Sequence, residues 1–288
     1  VDCVLTDGGM YYTSNGDVMK KFYTRDGMGV NMLRRKGIPT IIVTKEKTQM
    51  VKKWAKKMNI EHVYDGIQQK ETILKIISKK CDAIHLTENV LGHQRVSPIT
   101  ISEIIKKEIP NIPITVSLRI RDKNEDEIEK IVDKCISIGI SGILILLGDP
   151  SQIKTSNSGL IPSQVVSNLK NKKYDSKIEL FLSISNKPNF SKIGRKIKAN
   201  PKGFMTQVVQ NIQQVQNLSD NLKQFSIIPI ILFPSEKNQK SADFLGLDLT
   251  EYSKEFDKFV KETHKITKDI LLTSPNDFNG LKKYLENF

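Results

Sequence analysis

Residues 81–150 constrain this chain more than any other stretch. Three apolar, β-branched runs in it each end in a polar cluster. Residues 83–86 run into Thr87-Glu88-Asn89, residues 114–118 into a cluster at 119–124, and residues 142–147 into Gly148-Asp149-Pro150. Patterns of helical periodicity, about a dozen residues long, separate them. A strand with a polar end, then a helix, then the same again, is the sequence form of a parallel βα array. When such an array closes into a barrel, the C-terminal strand ends share one face, and that face holds the site. Thr87, Asp122 and Asp149 are therefore the first candidates.

The same alternation extends in both directions. Toward the C-terminus, strands are expected at 179–184, 203–207, 227–232 and 270–274. Helices are expected at 162–171, 191–199, 211–224, 250–267 and 276–286, with irregular loops at 151–159 and 186–191. Ser97 is placed to cap a helix with Pro98 in its first turn, and Asn124 or Asp126 to cap the next. With 83–86, 114–118 and 143–147, that makes seven strands, one short of the eight of a (β/α)8 barrel. An open barrel leaves two sheet edges, which favours a homo-oligomer. Toward the N-terminus, strands are expected at 1–5, 40–43 and 62–64, and helices at 27–36, 47–58 and 69–79. A hairpin of residues 11–12 and 21–23 is expected around Ser14-Asn15-Gly16-Asp17.

Composition narrows the function classes. Of 288 residues, 38% are hydrophobic and 27% charged, a balance that buries a core and excludes a disordered chain. No apolar run approaches the ~20 residues that cross a bilayer, and no signal peptide is visible. The chain opens inside an apolar run without a Met, as expected of a piece whose start lies upstream. Cys3, Cys81 and Cys135 are too scattered for a disulfide framework or a zinc site, so buried thiols in a reducing cytoplasm are expected. The net charge of +13 is uneven: residues 1–80 hold 16 Lys and Arg against 8 Asp and Glu. The lysines lie along helix faces without interleaved aromatics, a pattern of solvated surface rather than of a nucleic-acid interface.

The motifs of residues 1–78 resemble the first half of a haloacid-dehalogenase-type phosphatase, nearest the deoxy-octulosonate 8-phosphate phosphatase group. The resemblance is carried by D-C-V-L-T-D-G at 2–8, R-D-G-M-G at 25–29, Thr44 at a strand end, and Lys70 in G-I-Q-Q-K. It implies an aspartyl-phosphate mechanism with Mg2+, in which Asp2 is the general acid/base and a Mg2+ ligand, and Thr44 and Lys70 bind phosphate. The nucleophilic Asp of the family falls two positions before Asp2, Cys3 stands for its usual Gly, and its last, magnesium-holding turn has no match after Ile77. Turnover by this chain alone is not expected. Each residue also has a structural reading: Asp2 as a turn former, Thr44 as a cap, Lys70 as a solvated side chain.

Residues 79–288 resemble the methylenetetrahydrofolate reductase family. The carrying motifs, in order, are D-A-I-H-L-T-E-N, R-V-S-P-I, R-D-K-N, G-I-L-I-L-L-G-D-P, and R-K-I-K-A with Thr206-Gln207 beyond it. The resemblance implies a flavin barrel in which NAD(P)H reduces FAD, and FAD reduces the folate-type substrate 5,10-methylenetetrahydrofolate. Thr87 would contact the flavin. Asp149 would lie near the flavin ring and the folate, where a carboxylate tunes developing charge. Lys196 would pair with the FAD phosphates, and Gln207 would bond the pterin or hydride-donor side. Ser117 stands where the family often has His. The strand that brings the family's proton-donating Glu has no match before Cys81. The fold class expected is thus α/β: an incomplete TIM-type barrel behind a partial Rossmann-like segment, joined without a linker as in a fusion at matching βα positions.

Overall fold

The computed structural model describes residues 11–13, 16–19, 21–36, 40–43, 49–60, 62–64, 80–87, 97–148 and 158–287. The chain divides into two compact units, Val1–Lys75 and Ile76–Phe288.

In the first unit, β1 (Tyr11–Thr13) and β2 (Gly16–Met19) form an antiparallel hairpin with Thr13 opposite Gly16. The return strand therefore begins at Gly16, not at Lys21 as expected. Pairing resumes at Gly16, opposite Thr13, and Phe22 makes an isolated bridge. The helix Thr24–Arg35 precedes β3 (Ile41–Val43), and the helix Gln49–Lys57 precedes β4 (His62–Tyr64), which pairs parallel to β3. Val30, Ile42, Val51, Ala55 and Ile60 form a core, and Phe22 stacks on Trp54 with ring centroids 4.9 Å apart. This is the βα alternation read from the sequence. The expected strand 1–5 and helix 69–79 lie outside the described residues.

The second unit is a seven-stranded, all-parallel sheet in chain order. Its strands are β5 (Ile84–Leu86), β6 (Ile114–Arg119), β7 (Gly142–Leu146), β8 (Glu179–Ile184), β9 (Gly203–Val208), β10 (Ser226–Leu232) and β11 (Leu271–Thr273). All seven fall where strands were expected, and the helix-separated parallel order is that of a TIM-type barrel, nearly closed. Among the described residues, no strand pairs with the outer edge of β5 or β11.

One face of the sheet is built from alternate residues that the helices cover: Ile114, Val116, Leu118, Ile143, Ile145, Leu180, Leu182 and Phe204 are all buried. Each such side chain contributes about 1.5–3 kcal/mol of burial. The helix Glu125–Ile138 has a full capping box: Asn124 accepts from the Glu127 backbone N–H at 2.9 Å, and Glu127 accepts from that of Asn124 at 2.8 Å. Of the two expected caps, Asn124 is the one used. Ser97 holds the capping position before Pro98–Glu108, but its side chain makes no capping bond.

Two helices differ from the sequence reading. The expected helix 250–267 is broken into Leu249–Lys254 and Phe256–Thr267, with Glu255 at φ −118° between them. Tyr252 and Phe256, on either side of the break, join an aromatic cluster with Phe259, Phe233 and Tyr284. The expected helix 191–199 is a 3-10 turn, Phe190–Lys192, followed by a single helical segment, Gly194–Lys198. Asn189 accepts from the Ser191 N–H, and this Asx turn competes with helix at its start. A further helix, Gln239–Leu245, was not anticipated.

Candidate functional site

The face opposite the helices divides in two. Strand register puts Ser117 beside Leu144, Leu144 beside Phe181, and Ser183 beside Met205. On β7 to β10 this inner wall is apolar: Leu144, Phe181 and Met205 are buried together, with Leu146 and Ile228 packed against them. On β5 and β6 it is polar, formed by His85, Thr115, Ser117 and Arg119. The cause is a two-residue alternation in I-T-V-S-L-R, whose Ile114, Val116 and Leu118 turn to the helices.

His85 bridges the two polar strands. Its Nδ1 lies 2.7 Å from Thr115 Oγ1 and its Nε2 lies 3.0 Å from Ser117 Oγ. Both ring nitrogens are thus occupied by hydroxyls, which serve a neutral imidazole with one donor and one acceptor. Burial lowers its pKa to about 4. The imidazole thus reaches the Ser117 side of the wall from the neighbouring strand. The sequence reading passed over His85. Polar residues at period two on 115, 117 and 119, beside one His in an apolar run, were the available signal.

Arg119 is buried and pairs with Asp122 at 2.5 Å. Asp122 also lies 3.4 Å from Lys123, whose ammonium donates to the Arg119 carbonyl at 2.8 Å. Burial opposes ionisation of Asp122, but Lys123 and Arg119 outweigh it and hold its carboxyl below the usual carboxylate range. Asp122 thus anchors the β6 loop. The next loop is tied to it: Arg121 Nε donates to the Gly148 carbonyl at 2.9 Å. Gly148 has φ +83°, and a Cβ there would overlap the Arg119 side chain.

Other strand ends are linked sideways in the same way. Asn186 donates to the Val208 carbonyl at 2.7 Å, and Gln210 to that of Leu245 at 3.1 Å. The fully buried Asn238 donates to Phe233 O and Ser274 Oγ, both at 2.9 Å, and accepts from the Asn276 N–H at 3.0 Å. The C-terminal face is held by one side-chain bond after another, which fixes the mouth before any ligand arrives.

Lys196 is placed on this face by Gly194–Lys198. Its ammonium donates at 2.6 Å to the carbonyl of Ser183, near the end of β8, and burial lowers its pKa. Among the described residues it has no carboxylate partner. Gln207 is exposed near the end of the adjoining strand β9, and its carbonyl accepts from Thr206 Oγ1 at 2.6 Å. Lys196 and Gln207 therefore sit over neighbouring strands, β8 and β9. Thr87 is exposed just past β5, at the far edge of the same sheet. Asp149 lies outside the described residues, as do Asp2, Thr44 and Lys70 of the phosphatase motifs.

Among the described residues, no group of three or more His, Cys, Asp or Glu is placed to hold a metal, and no helix is long and apolar enough to cross a membrane. Cys135 is buried and its thiol is pushed up to about 12 by desolvation. Cys81 is half-buried and also raised, by burial and by Asp82.

No known protein family matches the chain. A stretch of 72 residues is 33% identical to the 3-deoxy-D-manno-octulosonate 8-phosphate phosphatase of Haemophilus influenzae, covering 25% of this chain and 40% of that protein. The corresponding phosphatase of Escherichia coli K12 is 36% identical over 70 residues, 24% of this chain and 37% of that protein. The chain thus spans about two fifths of the length of these curated relatives. Among solved structures, 2,3-dimethylmalate lyase, a member of the PEP mutase/isocitrate lyase superfamily, aligns with a TM-score of 0.50 at 11% identity. That alignment covers 90% of this chain and 82% of the lyase, and it is a likeness of fold alone. These comparisons support the phosphatase resemblance and lend none to the methylenetetrahydrofolate reductase one, nor to FAD or NAD(P)H.

Proposed function

We propose that the function best supported for this chain is that of a sugar-phosphate phosphatase of the haloacid dehalogenase type, carried by Val1–Lys75 as a phosphomonoester-binding unit. The observation that carries this reading is the 33% identity over 72 residues to an octulosonate 8-phosphate phosphatase. We assign that stretch to the first unit because Asp2, Thr44 and Lys70 stand there in the order of the phosphatase motifs. Lys70 and Thr44 hold the phosphoryl oxygens, one by charge and one by a hydroxyl donor. Asp2 is the residue that would move the proton to and from the ester oxygen once the nucleophile is present. Asp2 would contribute to holding Mg2+, which would neutralise phosphate charge when bound.

The test is calorimetric titration of the chain with a phosphomonoester, 3-deoxy-octulosonate 8-phosphate, in the presence of Mg2+. Binding is expected, weakened about tenfold or more by Lys70→Ala through loss of a charge-assisted bond. No binding by the wild-type chain, or binding indifferent to both Thr44→Ala and Lys70→Ala, overturns the reading.

A second reading concerns Ile76–Phe288: a flavin-dependent reductase that takes hydride from NAD(P)H and passes it to a folate-type acceptor. The specific observation favouring it is the half-buried Lys196 ammonium above a wall that is apolar on β7 to β10 and hydrogen-bonding on β5 and β6. Such a wall suits a planar, amphipathic ring carrying an anionic tail, and FAD is one. Lys196 would hold the phosphates and Gln207 and Thr87 the ring side, while FAD supplies the hydride chemistry when bound. FAD titration followed by flavin absorbance, with bleaching by NAD(P)H, tests it. A chain that takes up no FAD, or whose Lys196→Met variant takes it up equally well, rules it out.

A further inference from the structure

We propose that the outward face of the helices Thr24–Arg35 and Gln49–Lys57 docks the first unit on an anionic lipid surface as a peripheral contact. Neither reading of function above is needed for it, because the face is built from other residues than Asp2, Thr44 and Lys70.

The two helices pack side by side. Phe22 stacks on Trp54, a Cβ added at Gly27 would lie 2.8 Å from the Met58 sulfur, and both helices feed one core through Val30, Val51 and Ala55. What they turn away from that core is cationic. Arg25, Arg35 and Lys36 at the first helix and Lys53, Lys56 and Lys57 on the second are exposed. Among the described residues of 21–60, Asp26 is the one carboxylate, and it is half-buried. Lys53 and Lys57 stand one turn apart, a like-charge pair that destabilises its helix while nothing anionic lies over it. The second unit treats its lysines differently: Lys134 pairs with Glu103, Lys172 with Glu129 and Lys202 with Glu179. A lysine surface neutralised in one unit and left without carboxylates in the other is a local feature, not a habit of the whole chain.

The same face is also apolar. Met28 and Met32, one turn apart on the first helix, are 67% and 56% exposed, and Leu33 beside them is 41% exposed. A cation closes each end of the methionine stripe, Arg25 three residues before Met28 and Arg35 three residues after Met32. Exposed apolar side chains among cations are the two components of interfacial binding: the first enter the acyl boundary and the second meet the headgroups. Single-stranded nucleic acid is gripped by cations together with aromatic rings for the bases, and thioethers supply no such ring. A protein partner is gripped by rigid anchors, typically aromatic, whereas Met and Lys are adaptable, as a fluid surface requires. Each Lys or Arg near an anionic surface strengthens binding about fivefold, by an attraction that fades within a Debye length.

The experiment floats the whole chain with vesicles of phosphatidylcholine and phosphatidylglycerol in equal parts, and with vesicles of phosphatidylcholine alone. Binding to the first and not to the second is expected, with release as salt rises from about 0.1 M to about 1 M. Lys53→Gln with Lys57→Gln should weaken binding about thirtyfold without lowering the Tm, since a like-charge pair is removed. Met28→Ser with Met32→Ser should weaken it about tenfold. Lys134→Gln with Lys172→Gln, the matched loss of charge in the second unit, should leave it unchanged. Equal binding to both kinds of vesicle, or equal loss from the two lysine pairs, overturns the proposal. Indifference to the methionine pair overturns it too, because only adsorption by charge then remains. Inorganic phosphate at matched ionic strength should not release the chain; release would assign the attraction to a phosphate site and overturn the docking face. Phosphomonoester binding is read separately by calorimetry, so failure of the phosphatase reading and failure of this one give different results.

Discussion

The two walls of the barrel interior fold by different means. The apolar wall of Leu144, Leu146, Phe181, Met205 and Ile228 is held by contact area, which is non-directional and tolerant of pH. The polar wall of His85, Thr115, Ser117 and Arg119 is held by particular atoms at particular distances, and each bond matters because its unmade alternative is costly. The first wall can shift slightly and remain stable. The second fixes orientation at the expense of sensitivity to protonation and to single-atom changes.

The largest expected effect comes from deleting area in the apolar wall. Phe181→Ala should lower the unfolding free energy by about 4 kcal/mol, read from the urea midpoint, with little change in pH dependence. A loss under about 1 kcal/mol would mean that the wall collapses into the space and is not close-packed.

Next comes the response of the polar wall to acid. Burial lowers the folded pKa of His85 to about 4 from its ordinary value of 6.5. Below about 6.5 the unfolded chain takes up a proton that the folded chain refuses. Stability is therefore lost as pH falls from about 6.5 to about 4, and the loss levels off below that. It amounts to roughly 3 kcal/mol at full extent. The difference between wild type and His85→Gln, followed across this range, isolates it from the titrating carboxylates. A wild-type curve parallel to that of the variant would place His85 in water.

Third, Arg119→Leu should cost about 2 kcal/mol and raise the pKa of Asp122, because a charged hydrogen bond is lost while Lys123 remains. An unchanged carboxyl titration, followed by NMR, would show Lys123 to be sufficient. The smallest effect expected is from Ser117→Ala, about 1 kcal/mol, since His85 keeps Thr115. If Ser117→Ala instead matches Phe181→Ala, the contrast between the two walls does not hold.

Much of the fold was legible because apolar runs of strand length ending in polar clusters alternate with helical patterns, as at residues 142–146 and 226–232, which is the signature of a parallel βα array. The polar wall was harder to see. Thr115 and Ser117 are ordinary strand residues, and only the register between β5 and β6 turns them toward His85. Lys196 was found through motif resemblance, but its partner is a backbone carbonyl, which no side-chain pattern encodes. Asp122 read as a site residue because it ends a strand, and the structure gives it to Arg119 instead. The break at Glu255 was not legible, because the apolar spacing of Tyr252, Phe256 and Val260 is that of one continuous helix face.

β5 is three residues long and outermost in the sheet. Opening of such a structure starts at its margin, so Ile84, His85 and Leu86 belong to the least protected part of the sheet on the hydrogen-exchange timescale. The polar wall is then available only while that margin is closed. Any molecule that recognises His85, Thr115 and Ser117 together draws part of its selectivity from an equilibrium in the free protein, and its arrival is recorded as slowed exchange at the amides of Ile84, His85 and Leu86.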